Sequence, residues 1–70
     1  MQPVEWIEES KGKSVRVVLR TGKVYTGKFI SYDSNVNILF EDLLCWHTKE
    51  KMGTTILNGT TVAYMERVAN

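Results

Sequence analysis

The chain is poor in the residues on which several classes of protein depend. Its 70 residues include one cysteine, one histidine and one proline. Lone Cys45 cannot close an internal disulfide, which excludes a disulfide scaffold and fits a reducing compartment. Cys45, Trp46 and His47 stand together, but one cysteine beside one histidine lacks the ligand number and spacing of a metal site. No metal and no cofactor is expected. No nucleophile stands at a recognisable spacing from a base, and no glycine-rich loop would cradle a phosphate, so an enzyme is not expected. No apolar run approaches the ~20 residues that cross a bilayer, and the N-terminus has no signal-peptide core. The expectation is an intracellular protein without a membrane partner, cytoplasmic, and nuclear as well in a eukaryotic host. An excess of charge is missing too. Nine basic and eight acidic residues leave a net charge of +1, so no global field announces nucleic acid, and such binding must come from a local patch. Internal repeats, linkers and low-complexity stretches are also absent.

What is present describes one small globular domain, with 43% hydrophobic and 24% charged residues. A chain this short buries only ~60% of its unfolded surface, and such chains often gain stability by oligomerising. Pro3 to Ser10 reads as a short amphipathic helix with Val4, Ile7 and Trp6 on its apolar face, ended by Lys11-Gly12-Lys13. Its glutamates are read as a solvated face.

From Ser14 the period changes to two, with β-branched residues alternating through Leu19. Thr21-Gly22-Lys23 is a turn, and Val24 to Tyr32 a second strand whose Gly27 permits a bulge or sharp bend. Asp33-Ser34-Asn35 reads as a tight polar connection, because these side chains bond to their own backbone. A third strand runs from Val36 to about Trp46, and His47 to Lys51 forms a polar loop. Gly53 to Leu57 is a fourth strand. Asn58-Gly59 is a hairpin signal of the type I′ kind, and Thr61 to Val68 is a fifth strand, with Val62 and Tyr64 facing opposite to Ala63 and Met65. The fold class is mainly β: a short helix followed by a strongly bent five-stranded antiparallel sheet, a small open barrel.

The stretch Gly12-Lys13-x-Val15-Arg16-Val17-x-Leu19-Arg20-Thr21-Gly22-x-x-Tyr25-x-Gly27, continued by Tyr32-Asp33-x-x-Val36-Asn37-Ile38-x-Phe40-x-Asp42, resembles the first motif of the Sm and Sm-like (Lsm) proteins. Ile56-Leu57-Asn58-Gly59-x-x-Val62 resembles their second. The resemblance covers nearly the whole chain as a single domain, with a helix at about 3–10, the first motif at about 12–42 and the second at about 53–68. It implies that the fourth strand of one subunit pairs with the fifth of the next, closing a ring of six or seven identical or paralogous subunits. That agrees with the physics, since an open barrel leaves two edges that need covering. Ile56, Leu57, Val62 and Met65 would then pack at or near the contact.

The resemblance further implies that single-stranded, U-rich RNA binds at the central pore. Asn37 matches the amide that pairs with the uracil edge, and Asp33 the carboxylate that orients it. Gly59 lets the second loop come close. Asn35 stands where the family usually has an aromatic or histidine, and Asn58 where it usually has an arginine; both of those planar groups sandwich the base. Stacking is worth ~1–3 kcal/mol per base, so two readings stand: a ring that acts as RNA scaffold or chaperone, and a ring that mainly organises proteins with weak base-specific binding. Trp6 and Trp46 are read first as packing, with contact to nucleic acid as the lesser alternative. Lys11, Lys13 and Arg16 are open between phosphate contacts and a solvated face. Asp42 is read as structural.

Overall fold

The computed structural model describes residues 4–68. Helix α1, Val4–Ser10, is too short to persist alone and is held by packing. Trp6 and Ile7 lie against the core, and buried Ser10 donates its hydroxyl to the Trp6 carbonyl at 2.7 Å. These positions share one side of a helix. Val4, expected on the apolar face, points away and is 64% exposed, because Trp6 and Ser10 define the buried stripe instead. Pro3, the expected first residue of the helix, lies outside the described residues. Gly12 ends the element with φ +80° and donates its N–H to Phe29 O at 2.6 Å, a left-handed step that glycine makes without steric cost.

Five strands follow: β1 Ser14–Leu19, β2 Val24–Tyr32, β3 Asn37–Cys45, β4 Lys51–Asn58 and β5 Val62–Arg67. They form one sheet in the order β4-β3-β2-β1-β5, with each neighbouring pair antiparallel. The sheet is bent by bulges. Between Thr26 and Lys28 the partner strand moves from Leu44 to Glu41, giving β3 an extra residue. Asp42 takes that place at φ +53°, which accounts for its structural role. A Cβ on Gly27 would lie 3.0 Å from the Leu43 Cα, so glycine is what lets β2 pass so close to β3.

The sheet order overturns one expectation. Asn58-Gly59 does not turn a hairpin, since β4 and β5 occupy opposite edges. Asn58 is extended, with φ −77° and ψ 124°, and caps a short 3₁₀ helix, Gly59–Thr61. Its side-chain oxygen accepts from the N–H and the hydroxyl of Thr60, each at 2.9 Å, and Thr61 donates to its carbonyl at 2.7 Å. The two threonines thus favour a cap over the positive φ of a type I′ turn.

The alternation expected in the last strand fails as well. Val18 pairs with Tyr64 and Leu19 with Val62, so Ala63 is bulged out. Val62 and Met65 both reach the core as a result. Smaller shifts affect the hairpin of β3 and β4. β3 starts at Asn37, because Val36 is left-handed at φ +61°. It ends at Cys45, and Lys51, assigned to the loop, already belongs to β4.

The core comprises Val15, Val17, Tyr25, Phe29, Ile38, Phe40, Leu43 and Met65. Phe29 and Phe40 are fully buried, with ring centroids 6.2 Å apart at 52°; each such side chain contributes about 1.5–3 kcal/mol through burial. Met65, expected at or near a subunit contact, is buried within its own chain, where the bulge directs it. Leu57 and Val62 pack partly on the same core, while Ile56 is 65% exposed.

Candidate nucleic-acid interface

The connection from β2 to β3 is built on the Asp33 carboxylate. Its Oδ1 accepts from the backbone N–H groups of Asn35 and Asn37, each at 2.9 Å. Its Oδ2 accepts from the side-chain Nδ2 of Asn37 at 3.1 Å. A carboxylate only accepts, so the amide must turn its nitrogen toward Asp33. The Asn37 side-chain oxygen and second N–H take no part in that bond. The bonds from the Asn37 backbone and then its side chain hold the Asp33 carboxyl below its ordinary pKa, by favouring the charged form.

The end of β4 is fastened to this loop. Asn37 pairs in register with Asn58, and Gly59 donates its N–H to Val36 O at 2.7 Å. A Cβ on Gly59 would collide with the Val36 side chain and sit 2.6 Å from its carbonyl oxygen. Glycine is therefore required for close approach rather than for an unusual φ. Val36 contributes strain of its own, because a β-branched residue at φ +61° is a rare conformer.

The structure thus gathers Asp33, Asn37, Asn58 and Gly59 at one end of the sheet. Asn35 is there too, exposed, with its backbone tied to Asp33. Asn58 has its side-chain oxygen engaged with Thr60, so its first role is to shape the turn.

Residues to which the motif reading gave no part in base binding complete the site. A recess of about 140 Å³ opens beside Asp33 and Asn37, lined also by Ser31, Tyr32, Leu39 and Ile56. The signal was present: Leu39 lies two residues after Asn37, on the same face, and Ile56 is its partner across the ladder. Tyr32 joins the site to α1. Its hydroxyl donates to Glu8 at 2.9 Å, Lys11 pairs with Glu8 at 3.0 Å, and the Lys11 ammonium lies 5.3 Å from the Tyr32 ring centroid. Bonding to Lys11 and then Tyr32 lowers the Glu8 pKa, and the same carboxylate raises that of Tyr32. Arg16 is likewise paired, with Glu66 at 2.9 Å across the ladder of β1 and β5. Two of the three candidate phosphate contacts therefore have intramolecular partners.

Residues 5–67, from α1 through β5, match the LSM domain. The chain belongs to the LSM domain family. A curated snRNP Sm-like protein of Thermococcus sibiricus is 31% identical to this LSM protein over 64 residues, spanning 87% of this chain and 84% of its own. The structure of a heptameric archaeal Sm protein aligns with a TM-score of 0.82 at 31% identity, covering 93% of this chain and 98% of the other. The Sm protein of Pyrococcus abyssii, solved in complex with a uridine heptamer, aligns with a TM-score of 0.84 at 25% identity, covering 97% and 100%. Among the described residues of this LSM domain, no group of three or more His, Cys, Asp or Glu is placed to hold a metal ion, and no helix is long and apolar enough to cross a membrane.

Proposed function

We propose that this LSM protein is a ring subunit that binds single-stranded, uracil-rich RNA at the pore and acts as an RNA scaffold or chaperone without catalysing a reaction. One observation carries the base-reading half of this: the Asn37 amide is locked by Asp33. Uracil presents a carbonyl acceptor next to an N–H donor, and cytosine presents the reverse order. A freely rotating amide would match either edge. An amide whose nitrogen is fixed offers its remaining N–H and its oxygen in one order only, which is how unpaired bases are read on their edges. The uridine heptamer held by the Pyrococcus abyssii relative supports the same ligand class.

Ring closure follows from the sheet. β4 and β5 each have a neighbour on one side only, and such edges invite pairing with another chain. Ile56 on β4 and Tyr64 on β5 are exposed apolar residues at those edges. Pairing of β4 with β5 of the next copy is a head-to-tail contact that closes when the rotation allows, and the heptameric archaeal relative supports it.

A titration of fluorescent oligouridylate against oligocytidylate, followed by polarisation, tests the assignment. Uridylate is expected to bind more tightly, and Asn37→Ala to remove the preference while leaving the melting temperature unchanged. Equal and negligible binding of both oligonucleotides overturns the base-reading role. It would favour the second reading, a ring that organises proteins, which the asparagines at 35 and 58 keep in view.

A further inference from the structure

We propose that the loop joining β3 to β4 is a second contact for single-stranded RNA, with Trp46 as the stacking platform for a base and Lys49, Lys51 and Lys23 as partners for the phosphates. The proposal takes its ligand class from the function proposed above but not its location. Asn37 and Cys45 are the two ends of β3, and nine extended residues span roughly 30 Å before bending.

Trp46 is 50% exposed although it adjoins the core strand β3. The His47 ring stands perpendicular to its indole, with centroids 5.6 Å apart. The Lys49 ammonium lies 4.9 Å from the indole centroid. That lysine is presented by a left-handed backbone step at φ +62°, and its N–H donates to Cys45 O at 2.8 Å. The platform is therefore built into the hairpin rather than carried on a loose loop. The Trp46 backbone N–H donates to Val24 O at 2.9 Å, which sets the turn bearing Lys23 alongside. Lys51 opens β4 as the partner of Leu44.

The composition of the patch selects the partner. An exposed protein-docking patch is apolar at its centre, whereas here one aromatic ring carries a lysine ammonium over it, and two more lysines stand on the adjoining turn and strand. Between Cys45 and Lys51 the only acid is Glu50. A ring for stacking with ammonium groups for the backbone is the arrangement that binds single strands without reading sequence. Lys49 sits on the indole. Its flexible stem can release that face to a base while the ammonium stays with the adjacent phosphate.

Trp6 and Trp46 are the two tryptophans of the chain, so in a Trp6→Phe background the emission reports on Trp46 alone. Long oligouridylate and oligoadenylate are the probes, with polarisation of the labelled RNA measuring binding independently. Both are expected to quench Trp46, and quenching is expected to persist in Trp6→Phe/Asn37→Ala. Trp46→Ala should weaken binding of the long probes by about tenfold, the equivalent of ~1.4 kcal/mol of stacking, and Trp46→Phe should restore most of it. Lys49→Ala should reduce the salt dependence of binding by about one phosphate contact. RNA that binds by polarisation but leaves Trp46 emission unchanged overturns this second contact alone, as does a Trp46→Ala protein with unaltered affinity. Failure of the wild type to bind any oligonucleotide removes both this contact and the function on which it rests.

Discussion

The base-reading role proposed for Asn37 requires Asp33 to be ionised, because only a group that purely accepts fixes the amide. The bonds Asp33 accepts from Asn37 and Asn35 hold its folded pKa below the ordinary carboxylate value. For a group depressed in this way, the stabilisation is complete above the unfolded pKa and is lost as pH falls through the folded one. The affinity for uridylate, whose base does not titrate there, should therefore stay constant from neutral pH down through the usual carboxylate range and decline only below it, as polarisation titrations across pH would record. Asp33→Asn should reduce the preference for uridylate over cytidylate at neutral pH, because a second amide can donate as well as accept and no longer fixes the first. A constant preference in that variant would separate orientation from Asp33 altogether. Both residues were legible in the sequence, because Asp followed by Asn in a polar turn has a local chemistry that does not depend on the rest of the fold. The conformation at Asn58 was not, since the same dipeptide Asn-Gly serves a hairpin or a cap, and the choice lies with Thr60 and Thr61 and with where the next strand must go.

The bulges place the elements, and two glycines permit the close approaches. Gly27→Val should destabilise the chain by roughly 1–3 kcal/mol, the usual penalty of overpacking, because its branched side chain would press on the Leu43 backbone 3.0 Å away. A denaturant titration measures this directly, and an unchanged midpoint would mean that β3 moves aside without cost. Gly59→Ala should act differently. Its methyl group meets Val36 beneath the Asp33 loop, so it is expected to weaken uridylate binding more than it lowers the melting temperature. Strand existence was readable from alternation in β1 and from the glycine in β2. What escaped was the skipped residue at Ala63, the outward turn of Val4 and the earlier start of β4 at Lys51. A bulge reverses the inside and outside of every later position, and its location depends on the partner strand, which the local sequence does not encode.

For the molecule as a whole, the decisive feature is its pair of edge strands, β4 and β5. Ile56→Lys places a charge on the exposed β4 edge and should lower the native mass toward that of a single chain, as read by sedimentation. A mass unaltered by that charge would argue against closure through β4. The chain remains a small domain either way, and its core, built around Phe29 and Phe40, belongs to the single chain. The strand that offers this edge also ends in Asn58 and leads directly into Gly59, which is bonded to the loop that carries Asp33 and Asn37. Ligand and neighbour therefore act on one shared piece of backbone, and linkage requires their effects to be reciprocal. Short oligouridylate should lower the protein concentration at which rings form, and crowding the protein into rings should raise its affinity for uridylate by the same factor. The molecule would then take its final shape most readily around the strand it is meant to hold.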